Sequence, residues 1–484
     1  CSQTMKKEKN QFSRRALFKG AAHAGLASVL IPLAGQSAIS SEIGNEKEKF
    51  YHNRNSIDPS ILNAEALILL PSVIYASEGI ETNIYFDNVI FSNLPNDLLA
   101  IDITCPKGRQ YDRFWRITPQ AADNGTIEFR VDVSFAGKLI ASKSSELIIT
   151  TKKKGTGTSI KVLCIGDSTT AGGQYISIIN TDYQAMASPS MTFLGSRGIT
   201  PNKHEGRGGW KFSQYAGDGG QSTWQLHLSG LTEIPGIGSV YSDGKSEFTV
   251  SEINLSGGSG YVAVRRSKGI DNPSVNGTLT KVSGNGDTLI PYANSVMTAA
   301  NPFWNLSTKR LDFKKYLNDR GYSMTADDLI TVHLGINDVF LDVSDSKLES
   351  IKADFDKMVN EFRAVIPRIS IGLCITIPPS ISQDAFAVNY ASGQTLRRYI
   401  ENYKKLVEFL LSNYDTPEMR NSSLYCIGFN HCIDRTNNFQ KTTMKANARS
   451  TQIIETWGNG VHPDNTGYYQ MGDALYSFIK SLVS

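Results

Sequence analysis

Ser168, Asn337 and His462 are the residues of this chain whose types and settings could do chemistry. Each stands in a short word: Gly166-Asp167-Ser168, Gly335-Ile336-Asn337-Asp338 and His462-Pro463. A serine hydroxyl attacks a carbonyl once a base has taken its proton, an imidazole is such a base, and a carboxamide N–H can hydrogen-bond the oxyanion that results. The set is therefore what acyl transfer requires. Taken singly, each word has a plainer reading. Gly-Asp-Ser and Asn-Asp are ordinary strand-to-helix turns in which Asp or Ser caps the helix, and a loop histidine needs no chemistry at all.

The words sit where elements end. Val162-Leu163-Cys164-Ile165 runs into Gly166, and Leu329 to Leu334 runs into Gly335. Both read as buried strands, as do Met191 to Leu194, Ile369 to Ile377 and Leu424 to Phe429. Between them, Ile351, Phe355, Met358, Phe362 and Val365 recur at helical spacing, as do Leu396, Ile400, Tyr403, Val407 and Leu410. Met471, Leu475 and Phe478 mark a terminal helix. Alternating strands and helices predict an α/β domain over residues 153–484, a parallel sheet between two helical layers. Ligands of such sheets lie at the carboxyl ends of the strands, where Ser168 and Asn337 stand. Residues from about 232 to 300 break the rhythm with Gly, Ser, Asn and short β-like runs at Glu247 to Leu255, Tyr261 to Arg266, Gly277 to Val282 and Asp287 to Tyr292. They predict an inserted β subdomain, either a cap on the site or a surface decoration.

Upstream, residues 56–152 predict a small all-β sandwich. Ala66 to Tyr75, Thr82 to Phe91 and Thr126 to Phe135 are strand-like, and in the last Ile127, Phe129, Val131 and Val133 alternate with polar residues. Lys152 to Gly157 is a hinge whose glycines precede a strand, which argues against a nucleotide loop. Residues 41–55 are polar and form a linker. Residues 1–40 read as a signal peptide: Ser13-Arg14-Arg15-Ala16-Leu17-Phe18-Lys19 has the twin-arginine pattern, followed by a mildly apolar stretch from Ala21 to Leu33. Gly25, Pro32 and His23 make that stretch a poor membrane span.

The net charge of +3 is carried by that N-terminus, where six Lys and Arg face Glu8 alone; the remainder is slightly acidic. Such a body gives no electrostatic case for nucleic acid. Cys164 and Cys374 lie in apolar runs and read as buried thiols. Cys426 and Cys432 could pair in an oxidising compartment. No Cys and His spacing suggests zinc, and neither metal nor cofactor is expected.

Together and in this order, the three words resemble the SGNH (GDSL) hydrolase superfamily, from about Ser159 to the C-terminus less the insertion. No Gly-x-Ser-x-Gly elbow is present, unlike the ordinary α/β-hydrolases. The resemblance implies Ser168 as nucleophile, His462 as base, and an oxyanion hole from the Ser168 amide, a glycine amide and Asn337. In His204-Glu205-Gly206-Arg207-Gly208-Gly209-Trp210, Gly209 fits the glycine best and Gly208 second. One position departs from the pattern: Asn459 stands where the family has the Asp that orients the histidine. Either Glu455 or Asp464 serves instead, or Asn459 or a backbone carbonyl orients a Ser–His dyad, or catalysis is weak. Trp210, Trp304 and Trp457 lie near the words and could stack on sugars. The expectation is an exported serine esterase, directed to the periplasm and resembling carbohydrate acetylesterases, whose partner is an esterified carbohydrate. A lipase or lysophospholipase, or a decayed glycan-binding protein, are the alternatives.

Overall fold

The computed structural model describes residues 64–483, apart from 187, 220–221, 269–272, 275, 293–295, 300, 306 and 391–392. The expected signal peptide, linker and first residues of the sandwich lie outside the described residues.

Five parallel strands form the central sheet: β1 (Ser159–Gly166), β2 (Ser190–Leu194), β3 (Leu329–His333), β4 (Ser370–Cys374) and β5 (Leu424–Ile427). Their order is β2-β1-β3-β4-β5, and the two-residue strand Glu205–Gly206 adds to the end of β1. Side chains alternate across β1. Leu163 and Ile165 enter one buried cluster, with helices α1 (Asp345–Val365) and α2 (Leu396–Tyr414) over it. Val162 and Cys164 enter another, covered by helix α3 (Asn465–Leu482). The apolar runs of the sequence are thus strands buried on both faces, as parallel sheets require. The chain order reverses direction between β1 and β3, which makes their carboxyl ends the switch point where such sheets bind ligands. Ser168 and Asn337 follow these two strands.

The N-terminal region contains a four-stranded sheet (Val73–Ser77, Lys138–Thr150, Gly125–Phe135, Ala100–Thr104) and a three-stranded one (Thr82–Tyr85, Phe114–Ile117, Arg109–Gln110). They share a core that includes Ile84, Trp115, Phe129 and Val131. The expected strand from Thr82 to Phe91 is interrupted by a helical turn, Phe86–Val89. Tertiary contact overrides the strand pattern there: Phe86 and Val89 are buried, and the buried Asn88 amide donates to Ile433 O at 2.8 Å. The region is seated directly on the α/β layers. Leu69 belongs to the cluster under α1 and α2, the Asn430 amide donates to Leu69 O, and Arg435 donates to Asp87 O.

The insertion is a six-stranded antiparallel sheet that begins at Ser222, ten residues before the expected boundary of about 232, and runs to Ala299. Asp287 to Tyr292 forms only a bridge, Leu279 to Leu289, and not a strand. The insertion has its own core, with Trp224, Tyr241, Phe248 and Val262. Cys164, Cys374, Cys426 and Cys432 are all buried free thiols.

Candidate active site

Ser168 opens a four-residue helical turn, Ser168–Ala171, directly after β1. The turn must be tight. A Cβ on Gly166 would lie 2.1 Å from Thr170 Oγ1, so only glycine fits. Asp167 caps the turn: its Oδ1 accepts from the Thr169 N–H at 2.9 Å and from the Thr169 hydroxyl at 2.7 Å. The Thr169 oxygen also lies 3.0 Å from His333 Nδ1, at the end of β3. Asp167 and His333 are each about 1% exposed. Burial pushes the Asp167 carboxyl up to about 6 and the His333 imidazole down to about 3.

His462 comes from the loop before α3. Its Nε2 lies 2.7 Å from Ser168 Oγ, a nucleophile–base contact across 294 residues. Pro463 follows, and Asp464 caps α3 by accepting from the Thr466 and Gly467 amides, a device worth about 1 kcal/mol. Burial lowers the His462 pKa, and among the described residues no carboxylate offsets it. Asp464 is engaged as the cap, and Glu455 is exposed on the Ile453–Trp457 strand. Asn459 does not reach the ring through its amide oxygen. That oxygen accepts from the Val461 and His462 backbone N–H groups, at 3.0 and 2.9 Å. The Asn459 side chain thus holds the histidine loop through two backbone contacts, and among the described residues no hydrogen bond joins it to the imidazole.

The third group is the glycine loop. The Arg207 N–H donates to Gly166 O, which lays the loop against the end of β1. A Cβ on Gly208 would come 3.9 Å from Ser168 Cβ, and Gly209 has φ +75°, which favours glycine. Among the described residues the amides of Ser168, Gly208 and Gly209 have no hydrogen-bond acceptor, whereas the Trp210 amide is taken by Arg207 O. Asn337 Nδ2 donates to Trp210 O at 3.1 Å, so one of its two N–H bonds ties it to this loop and the other is left over. Beneath the loop lies a buried pair, Arg207 Nη1 to Glu205 Oε2 at 2.9 Å, with the Tyr316 hydroxyl donating to Glu205 Oε1.

The three tryptophans do not share one environment. Trp210 is 4% exposed, with Arg207 over its ring at 4.9 Å and Tyr215 against it edge-on at 4.7 Å. It offers no face to a sugar, since its ring completes the core under the glycine loop. Trp304 and Trp457 are half-buried, with the ammonium groups of Lys357 and Lys441 at 5.7 and 3.5 Å from their ring centroids. Sequence reasoning missed Asp338. Its carboxylate accepts from the Phe212 N–H, tying the Asn337 word to the helix after the glycine loop, and burial raises its pKa to about 7. The signal was the second letter of Asn337-Asp338, an acid beside an apolar run.

Chemically, the arrangement offers a nucleophile hydrogen-bonded to a base, with unpartnered N–H donors on the adjoining loop. The family described as GDSL-like Lipase/Acylhydrolase matches residues 162–475. No curated protein matches the chain. Among solved structures, a carbohydrate esterase family 3 protein from Talaromyces cellulolyticus is 16% identical, over 67% of this chain and 100% of that one, with a TM-score of 0.31. A mutant acetyl esterase with acetate ion is 15% identical, over 66% and 99%, with a TM-score of 0.29. A possible lipase from Chitinophaga pinensis DSM 2588 is 12% identical, over 67% and 98%, with a TM-score of 0.29.

Proposed function

This chain belongs to the GDSL-like lipase/acylhydrolase family and is an ester hydrolase; on that premise we propose that it is an exported serine esterase removing acyl groups, acetyl above all, from a carbohydrate. The observation that carries the mechanism is the 2.7 Å contact between His462 Nε2 and Ser168 Oγ. The Nε2 lone pair must receive the serine proton, so the neutral ring carries its own proton on Nδ1. Ser168 Oγ attacks the ester carbonyl as its proton passes to Nε2. The oxyanion accepts from the Ser168 and Gly209 amides and from the free N–H of Asn337. The imidazolium then protonates the leaving sugar oxygen, and water, deprotonated by the same Nε2, releases the acid from Ser168.

One feature supports a large, hydrophilic alcohol and another a short acyl group. Gly208 and Gly209 are exposed and Ser168 is half-buried, so the oxyanion side opens to solvent. Apart from the buried strands that deliver them, the motifs adjoin no apolar stretch that would line a long acyl chain, which supports acetyl over longer groups. Export is supported by the twin-arginine pattern at Arg14-Arg15. The test compares p-nitrophenyl acetate with the octanoate, then acetylated polysaccharides, for the wild type and Ser168→Ala. Acetate should be turned over far faster, acetate should be released from a polysaccharide, and Ser168→Ala should be inert though folded. A preference for octanoate supports a lipase instead, and activity retained in Ser168→Ala refutes the covalent route.

A further inference from the structure

The word that gives the family its name ends in leucine. In this chain that position holds Thr169, and its hydroxyl is engaged at both ends. One contact, at 2.7 Å, is to Asp167 Oδ1; the other, at 3.0 Å, is to His333 Nδ1. A hydroxyl has a single proton. Against an ionised Asp167, which only accepts, Thr169 must donate to the carboxylate. Its oxygen then accepts from His333, so the His333 ring proton must sit on Nδ1 and leave Nε2 bare. The ends of this chain are sealed from water: Asp167 Oδ2 and His333 Nε2 are buried without a partner among the described residues. Phe429 closes the imidazole edge-on, with ring centroids 5.2 Å apart. A leucine at 169 could make neither contact.

We propose that Thr169 and His333 are positioning residues: through the Thr169 hydroxyl the His333 imidazole locks the Asp167 carboxylate, which in turn holds the Ser168 turn and its amide in register with the oxyanion. The inference rests on the reading of Ser168 as nucleophile. The geometry gives the reason. The Asp167 N–H donates to His333 O at 3.2 Å, so backbone and side chain of His333 grip the same residue from β3. Asp167 Oδ1 holds the next amide after Ser168. Tyr215, Tyr399 and Tyr468 face the carboxylate from three helices; burial keeps all three neutral, and among the described residues no cation offsets the burial of Asp167. The Thr169 hydroxyl and amide are the larger of the groups that favour its charged form, and its own backbone amide is the other.

Three variants test this: Thr169→Val, which is nearly isosteric but lacks the hydroxyl; Thr169→Leu, which restores the family letter; and Thr169→Ser, which keeps the hydroxyl. With p-nitrophenyl acetate, the first two should lose about tenfold or more in kcat, the scale of a hydrogen bond to a charged group, with little change in KM. Their acid limb should move to higher pH, because a bond that lowers the Asp167 pKa has been removed. Thr169→Ser should restore both. A purely packing role would lower the melting temperature without moving the limb, and that result overturns the proposal, as does an equal loss in Thr169→Ser. Nitrogen-15 spectra of the imidazoles give a readout that needs no turnover. His333 should be protonated on Nδ1 in the wild type and Thr169→Ser, and lose that tautomer preference in Thr169→Val. An Nε2–H tautomer in the wild type refutes the network even if the enzyme is active. The expected tautomer in a protein that hydrolyses no ester would instead leave the network standing and sink the esterase reading.

Discussion

Asn459 is the position at which a substitution discriminates most sharply, because its oxygen touches the backbone of the histidine loop and not the ring. Asn459→Ala removes the acceptor for the Val461 and His462 amides. At about 0.5–1.5 kcal/mol per bond, the loss is roughly 1–3 kcal/mol, a fall of several degrees in melting temperature. The same loop places Nε2 on Ser168 Oγ, so kcat should fall by between about tenfold and a hundredfold, the price of a misplaced reacting group. Asn459→Asp keeps the acceptor and adds a charge. The present oxygen accepts from the His462 backbone N–H, so the added charge would sit on the same loop as the imidazole, where an opposite charge favours the protonated ring. Burial now holds that pKa below its ordinary value, and a carboxylate on the same loop opposes that, so the acid limb should move to higher pH. The variant should be slower than wild type below the limb and faster above it, where the carboxylate stabilises the imidazolium formed during attack. Thermal melts and kcat/KM for p-nitrophenyl acetate from about pH 5 to 9 read both effects. Wild-type melting and rate in Asn459→Ala refute the holding role, and an unmoved limb in Asn459→Asp refutes the electrostatic one.

Three other outcomes follow from the same geometry. Asn337→Ala should lower kcat by roughly 10²–10³ with a smaller change in KM; a change in KM alone would place the side chain in ground-state binding. Asp338→Asn should keep the Phe212 contact and raise the melting temperature by a margin that grows as pH climbs from about 4 to about 7 and then levels off, because a folded-state pKa raised from 3.8 means that stability is lost while the unfolded carboxyl ionises and the folded one does not. A gain already present at pH 4 would contradict that sign. Deleting residues 64–152 should yield insoluble or molten protein, since Leu69 leaves the cluster under α1 and α2 and the buried Asn430 and Arg435 lose the Leu69 and Asp87 carbonyls; a cooperatively melting, active fragment would show the two regions to be separable.

The central sheet and its long helices were legible because both faces of the strands and one stripe of each helix are buried, which writes long apolar runs and clear periodicity into the chain. Ser168, Asn337 and His462 were legible for a related reason. Each follows an apolar run or precedes a periodic helix, so topology fixes where it stands. What escaped the sequence is decided by single tertiary contacts. The strand expected through Phe86 gives way to a helical turn because Asn88 has a partner in Ile433 O. Trp210 looks like a sugar platform until Arg207 and Tyr215 close over it. The early limit of the insertion at Ser222 was hidden because Trp224, Leu226 and Leu228 look like any other apolar alternation.

The choice of Asn at 459 becomes intelligible from the surroundings of His462. A base that works near neutral pH must be unprotonated there, and burial alone already lowers this imidazole pKa. A carboxylate at 459 would oppose that by stabilising the protonated ring before the reaction as well as during it. With Asn, the loop keeps the same two backbone contacts, the ring stays neutral to lower pH, and the charge that develops on attack is met mainly on the other side of the reaction, by the amides of Ser168 and Gly209 and by Asn337. On the proposed mechanism, the site trades stabilisation of the imidazolium for a base that stays neutral to lower pH, and the proposed Thr169–His333 lock lies beneath the half that carries the remaining burden.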